Sequence, residues 1–391
     1  MDQLAVTAIR AKNATKIIFL VCGLGISSWA PMVPYAKDRL QLNDSNLGLL
    51  LLMLGLGAIA MMPVSGILAH RYGTRKVILV AAIVMALMLP MLLMMPSVVA
   101  MGLVLFIFGS AVGTVDVAMN SQGVQVERTS PQPIMSSLHG LFSVGGLFGS
   151  LGLGFLMKLG LEPVHAAIAI AVLLIGIVSW KYGDLLNLET ERSVVEERPD
   201  PAAKKSLMWL NNSVLFLGVL CFAVFLSEGA MLDWSAIFLK ENRGIDEAFA
   251  GIGYAAFSVA MASMRLVGDK LVARFDGKTV VITGCILAAA GLSLAVFTPW
   301  LSTSIGGFIL LGLGTANIVP VFISEGGKIR NVPATVSIPA ISTIGYAGQL
   351  AGPAILGFIA HQFSLSIALA FNAALLLLVA LAYSTRKNKS V

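Results

Sequence analysis

Apolar runs long enough to cross a lipid bilayer recur along this chain from end to end, and few architectures can accommodate that. A helix needs about 20 apolar residues to span the hydrocarbon core. By that measure about twelve runs qualify, the first at Ile17–Tyr35 and the second at Leu47–Ala69. The others cover 77–95, 98–126, 135–159, 164–182, 214–239, 248–272, 279–297, 301–324, 333–360 and 365–383. Composition agrees: 57% of the 391 residues are hydrophobic, 12% are charged and the mean hydropathy is +0.89. A soluble protein carries roughly 25% charged residues, so water is the wrong solvent for this chain. The expectation is an all-α membrane protein, because helices satisfy their own backbone hydrogen bonds in lipid.

The charges are few enough to be read one by one. The net charge of +6 does not indicate a nucleic-acid partner, since no basic patch with interleaved aromatics is present. Basic residues instead collect in the loops that face the cytoplasm. An even number of spans puts both termini on one side, and Arg10, Lys12, Lys16, Arg386, Lys387 and Lys389 assign that side to the cytoplasm. Roughly 20 of the 26 basic residues then fall inside. The first apolar run continues past Pro31 with no small-residue cleavage site, so it reads as a retained helix. Cys22, Cys221 and Cys285 lie far apart in apolar runs, which suits small core residues, and no metal site or cofactor is expected.

The second half of the chain repeats the first. Gly66-Ile67-Leu68-Ala69-His70-Arg71-Tyr72-Gly73-Thr74-Arg75-Lys76 reads as a short basic turn between two spans. A degraded copy follows at Asp269-Lys270-Leu271-Val272-Ala273-Arg274-Phe275-Asp276-Gly277-Lys278. Leu42-Asn43-Asp44-Ser45-Asn46-Leu47-Gly48 matches Ile245-Asp246-Glu247-Ala248-Phe249-Ala250-Gly251, Gly113 to Asp116 matches Gly314 to Asn317, and Gly145 matches Gly345. The offset stays at about 200 residues, as two similar six-helix halves require. The halves are expected at 1–183 and 211–391. Between them, residues 184–210 carry mixed charge and two prolines, Pro199 and Pro201, which suits a flexible tether, with a surface helix as the other reading. Two such halves meeting at a seam predict a central cavity that opens alternately to each side.

The stretch from Gly66 to Lys76 resembles the signature loop of the major facilitator superfamily, and the resemblance extends over the whole chain. More narrowly, Asp116-Val117-Ala118-Met119-Asn120-Ser121-Gln122-Gly123 with Glu127-Arg128, then Leu138-His139-Gly140-Leu141-Phe142-Ser143, then Ser227-Glu228-Gly229 with Asp233-Trp234, resemble its bacterial YbjJ-like branch. The resemblance implies twelve helices in two pseudo-symmetric bundles and transport by alternating access. One departure matters: the superfamily loop carries Asp where this chain has His70, and its second copy has Ala273 there. Asp269, one helical turn earlier, is a candidate substitute.

Ionisable groups inside lipid-spanning helices cost at least about 2.5–3.5 kcal/mol each at mid-span, so each needs a reason. Glu228, Asp233 and Asp116 are the candidate proton-coupling carboxylates, with interhelical packing as the bland alternative. Asp116 and Asn120 share a face of the fourth span, and Asn317 is the repeat partner of Asp116. With Trp29, Trp234, Tyr346 and Gln349 they form the candidate solute-binding set; for the two Trp residues, interfacial anchoring is the alternative. His70, Arg71, Arg75, Glu127, Arg128, His139, Arg265, Asp269 and Arg274 are the candidate gating residues. A lone buried Arg265 needs a partner: an ion pair with Asp116, Glu127 or Asp269 is the expected one, and an anionic solute is the alternative. Gly55-Leu56-Gly57 and Gly312-Leu313-Gly314 follow no strand, so dinucleotide binding is excluded.

These readings predict a monomeric, multi-pass protein of the bacterial cytoplasmic membrane that is not an enzyme. It would move a small polar solute, sugar-like or an organic acid, coupled to protons. Efflux of drugs or metabolites is the alternative within transport, and a non-transporting membrane sensor is the alternative outside it.

Overall fold

A computed structural model of the chain describes residues 3–42, 44–194, 205–245 and 252–386. All regular structure among the described residues is helical. In order the elements are α1 (Gln3–Ser27), a 3-10 turn at Ala30–Met32, α2 (Val33–Leu40), α3 (Asp44–Tyr72), α4 (Thr74–Met94), α5 (Val98–Arg128), α6 (Met135–Lys158) and α7 (Pro163–Lys181). A turn at Tyr182–Asp184, α8 (Leu188–Val194) and a turn at Lys205–Leu210 follow. The second half holds α9 (Asn212–Arg243), α10 (Ile252–Phe275), α11 (Gly277–Phe297), α12 (Leu301–Thr315), α13 (Ile318–Gly326), α14 (Ala334–Gln362) and α15 (Leu365–Thr385).

Ten spans among the described residues are long and apolar enough to cross a membrane, with α12 and α13 counted together as Leu301–Gly326. The remaining two spans are α1 and α10, which carry more charge: Arg10, Lys12 and Lys16 in α1, and Arg265, Asp269, Lys270 and Arg274 in α10. Twelve membrane helices in two sets of six result. The tether expected at 184–210 is partly folded, since α8 lies within it. Glu196, Glu197, Arg198, Pro199, Asp200, Pro201 and Lys204 lie outside the described residues, as do Asn43, 246–251 and the terminal Lys387 and Lys389.

The chain forms two compact units. The first comprises Met1–Ile134, Leu141–Asn211 and Gly326–Thr343; the second comprises Met135–Gly140, Asn212–Glu325 and Ile344–Val391. Within the first unit α5 packs against α3 and α4, and α1 crosses α6 closely. Glycine permits that crossing: a Cβ on Gly145 would lie 2.0 Å from the Leu20 carbonyl oxygen, and one on Gly23 would lie 2.0 Å from that of Phe142. Without a hydrophobic force between helices in lipid, such close backbone packing is what holds spans together. The second unit uses the same device, since a Cβ on Gly348 of α14 would lie 2.2 Å from the Phe222 carbonyl oxygen on α9.

The internal repeat is visible in the backbone as well as in the sequence. Gly73, before α4, has φ 83° and ψ 149°; Asp276, before α11, has φ 64° and ψ 161°. Both turns therefore use a backbone conformation that only glycine adopts without strain. Asp276 holds it while its side chain accepts a hydrogen bond from Thr279 N at 2.8 Å, capping α11.

The tenth span is broken where the fourth is continuous. Helix α12 stops at Thr315 and α13 restarts at Ile318, with Ala316 and Asn317 between them. Pro320 explains the break, because it has no N–H for the Ala316 carbonyl four residues earlier and its ring crowds that carbonyl. The first unit has Met119–Asn120 in the equivalent stretch, and α5 runs on unbroken for 31 residues.

Candidate functional site

In the second unit a charge cluster forms around the break. Arg265 on α10 places Nη2 3.4 Å from Glu228 Oε1 on α9. Its Nε donates to the Ala316 carbonyl at 3.1 Å, the acceptor that Pro320 left without a helical donor. The guanidinium is thus held between a carboxylate and a freed carbonyl, and Arg265 is only 7% exposed. Glu228 is a different partner from Asp116, Glu127 or Asp269, the carboxylates expected from sequence. Tyr254 on α10 hydrogen-bonds Ser258 and lies within electrostatic reach of Glu228, Arg265 and Asp233; His139 lies within reach of Arg265. Asn317 is buried at the break, its Oδ1 pressed against Gly268 and without a hydrogen bond among the described residues.

The other candidates of this unit are spread over several surroundings. Asp233 is exposed on α9. Trp234 packs beside Gly357 of α14 and against a core of Leu226, Ala230, Leu356 and Ala368. Its Nε1 is buried with no hydrogen bond among the described residues. Tyr346 tilts against Phe225 with ring centroids 5.3 Å apart, and Gln349 covers Gly229. Asp269 Oδ1 accepts from Ser137 N at 3.1 Å, in the first turn of α6. A carboxylate there meets the unsatisfied N–H groups and the positive end of a helix dipole. Arg274 is exposed and lies over the Phe275 ring.

In the first unit Asp116 and Asn120 are both buried on α5. Asn120 Nδ2 donates to the Asp116 carbonyl at 2.9 Å and lies 3.3 Å from its carboxylate. Trp29 is 5% exposed, just past the end of α1. Near the end of α5, Glu127 accepts from Lys328 Nζ at 2.7 Å and from Ile134 N at 2.9 Å. Arg128 Nη2 donates to the Gly327 carbonyl at 2.5 Å. His70 and Arg71 are exposed in the last turn of α3, and Arg75 stacks on Tyr182 at 4.0 Å. The gating candidates therefore divide into engaged groups (Glu127, Arg128, His139, Asp269, Arg265, Arg75) and exposed ones (His70, Arg71, Arg274).

Sequence reasoning passed over five participants. Pro320 is one, and the residue four before it marks the freed carbonyl. Tyr254 and Ser258, one turn apart on α10, carried a helical polar face that periodicity could have found. Lys328 and Glu191 sit in connecting segments where no pattern announces a partner.

The sequence profile of the Major Facilitator Superfamily matches residues 17–325 and 234–390. An uncharacterized MFS-type transporter of Yersinia pestis is 42% identical over 379 residues, covering 97% of this chain and 96% of its own. Among solved structures, FucP in the outward conformation, the E. coli fucose:proton symporter, superposes with a TM-score of 0.81 at 15% identity, covering 98% of this chain and 100% of that one. The proton:xylose symporter XylE superposes with a TM-score of 0.74 at 12% identity, covering 96% and 95%.

Proposed function

The chain belongs to the major facilitator superfamily and is a multi-pass membrane transporter, and from that premise we propose that it moves a small polar solute in company with protons. The observation that carries this reading is the Glu228–Arg265 pair beside the break in the tenth span. Burial favours a neutral carboxyl and a neighbouring cation favours a charged one. A carboxylate that gains and loses an arginine during a transport cycle therefore takes up a proton in one state and gives it up in the other. The Ala316 carbonyl offers Arg265 a second resting place, so the guanidinium keeps a partner when Glu228 is neutral. Asp116 and Asp233 are the further proton-coupling candidates, in different surroundings.

The solute is sugar-like or an organic acid in this reading. FucP and XylE, by their descriptions, are sugar:proton symporters on the same fold. Asp116 and Asn120 on one helix, with Asn317, Trp29, Trp234, Tyr346 and Gln349, supply hydroxyl partners and flat apolar faces. The working halves are 1–183 and 211–391, joined by 184–210, in a monomer of the cytoplasmic membrane of a bacterium with both termini inside. Glu127 with Lys328, Arg128 and Asp269 act as gating contacts. The motifs around Asp116, His139 and Glu228 support the reading that the chain is of the YbjJ-like branch.

A thermal-shift screen of the purified protein at two pH values finds the solute class. The panel holds L-fucose, D-xylose, small organic acids, amino acids and lipophilic cations. A ligand at 100 times its Kd adds about 2.7 kcal/mol of stability. The stabilising solute is then followed into proteoliposomes under an imposed pH gradient. Glu228→Gln is expected to abolish accumulation driven by the gradient while leaving solute exchange intact. Gradient-driven accumulation that survives in Glu228→Gln, Asp116→Asn and Asp233→Asn alike refutes the coupling, and stabilisation by lipophilic cations alone moves the assignment to drug efflux.

A further inference from the structure

Three arginines of this chain meet the same kind of acceptor. At the break in the tenth span Arg265 takes the carbonyl four residues before Pro320. Arg39, near the end of α2, donates from Nη2 to the Leu92 carbonyl at 3.0 Å and makes a further short hydrogen bond to that of Leu93. Arg243, at the end of α9, donates from Nη2 to the Ala295 carbonyl at 2.7 Å and to that of Thr298 at 2.6 Å. Leu92 stands four residues before Pro96, and Ala295 four before Pro299, so neither carbonyl can receive a helical N–H. Arginine, freed carbonyl and proline all recur at the repeat's offset of about 200 residues. Both arginines lie on the side away from the termini, which on the orientation proposed above should be poor in basic residues. The loops there carry besides them only Lys37, Lys158 and Lys240.

The two copies are not equally held. Arg243 is half-buried over the Phe238 ring at 4.7 Å, and its Nε donates to Ser304 Oγ on α12 at 2.8 Å, so it ties α9 to both α11 and α12. It ends a helix that runs unbroken for 32 residues. Arg39 is exposed and belongs to a helix of 8 residues, separated from α1 by the turn at Ala30–Met32. A cavity of about 450 Å³ adjoins it, lined by Tyr35, Arg39, Leu93, Glu162, Pro163 and Val164. The cavity gives α2 room to move, and Glu162 in its wall gives a released guanidinium a carboxylate to turn to.

We propose that Arg39 and Arg243 are two copies of a catch, each fastening the far end of its half's first span to the proline-ended third span, and that the Arg39 copy opens to free α2 while the Arg243 copy stays shut. Opening gives up two charge-assisted hydrogen bonds and unseats Ala36, which is 0% exposed on the face of α2 that Arg39 shares.

Thiol labelling of the purified full chain in detergent tests this without the transported solute and whichever way the chain sits in the membrane. Cys22, Cys221 and Cys285 are buried, and the parent chain gives their background rate. Ala36→Cys reports on α2; Leu239→Cys, at the repeat-equivalent buried place on α9, reports on the second copy. A charged maleimide should label Ala36→Cys at least about 10-fold faster than Leu239→Cys. Adding Arg39→Met should speed labelling of Ala36→Cys by about a further 10-fold and leave Leu239→Cys unchanged. Arg39→Lys keeps the charge but loses the planar fork that spans two carbonyls, so its rate should fall between. Arg243→Met should speed labelling of Leu239→Cys alone. A single melting transition shows that each variant is folded, and if Arg39→Met does not fold, Arg39→Lys must by itself raise the Ala36→Cys rate. Equal labelling of the two sites in the parent background, an Ala36→Cys rate that does not respond to Arg39, or a Leu239→Cys rate that does not respond to Arg243→Met would overturn the proposal.

Discussion

Placing a methyl group at Gly145 separates a packed bundle from a loose one. The Cβ of Gly145→Ala would meet the Leu20 carbonyl oxygen at 2.0 Å and Leu24 N at 2.9 Å. Ordinary contact begins near 3.4 Å, so α1 and α6 must part by about 1.4 Å at that point. The obstructing atoms are backbone, which has no rotamer to retreat into, so the overpacking cost of about 1–3 kcal/mol falls at its upper end. Alanine returns about 1 kcal/mol through its better helix propensity, leaving a net loss of about 2 kcal/mol. Gly154 on the same helix is the control, since a Cβ there meets nothing within 4 Å. Gly154→Ala should gain up to about 1 kcal/mol. In a melt of the detergent-purified protein followed by intrinsic fluorescence, Gly145→Ala should fall by about 2–3 °C and Gly154→Ala should hold or rise. Equal losses at both positions would show that α1 and α6 are not in backbone contact. The matter bears on transport, because a half that moves as a body must have helices that do not slide past one another.

Two further perturbations probe the charged and strained positions. Arg265→Gln leaves Glu228, 17% exposed, without its cation and should cost about 3–5 kcal/mol; Glu228→Gln leaves Arg265, 8% exposed, still donating to the Ala316 carbonyl and should cost less. The double variant should recover at least about 1 kcal/mol of the summed loss, and strict additivity in the melts would show that the two do not interact. Asp276→Gly gives up the cap on Thr279, worth a few tenths of a kcal/mol on replacement by Gly, and relieves a backbone strain of about 1–3 kcal/mol, so it should raise the melting temperature. Gly73→Asp should lower it, and the opposite order would refute the shared turn geometry.

The spans were legible because lipid imposes a simple requirement, about 20 apolar residues per crossing, and the sequence meets it openly. The repeat was legible because the turns before α4 and α11 and the glycines at 145 and 345 preserve spacing. Partnerships between charges were not. Arg265 needed a carboxylate on another helix, and sequence separation says nothing about which face of α9 turns toward α10; Asp116, Glu127 and Asp269 satisfied the same rule on paper. The folding of α8 was hidden for a different reason. Its composition is that of a tether, and what orders it is a buried acceptor, Glu191, meeting the Thr74 backbone N–H that a helix start leaves without a helical partner, more than a hundred residues earlier.

The two halves keep their scaffold and differ in their chemistry, and the difference traces to single residues. Asp116 and Asn317 occupy equivalent places, each buried at a fourth-helix position of its half. In the first half the helix continues, and Asn120 folds back onto Asp116 within one turn. In the second half Pro320 interrupts the helix, so a backbone carbonyl rather than a side chain faces the neighbouring span, and Arg265 is drawn to it. That arginine brings Glu228 with it. A duplicated six-helix frame thus acquires an arginine–carboxylate pair at its broken tenth span that the unbroken fourth span does not carry among the described residues, from one proline and two ionisable residues on helices that otherwise pack as the repeat dictates. An asymmetric site of this kind is what directional coupling needs, since a fully symmetric pair of halves would give a proton no reason to prefer one of them.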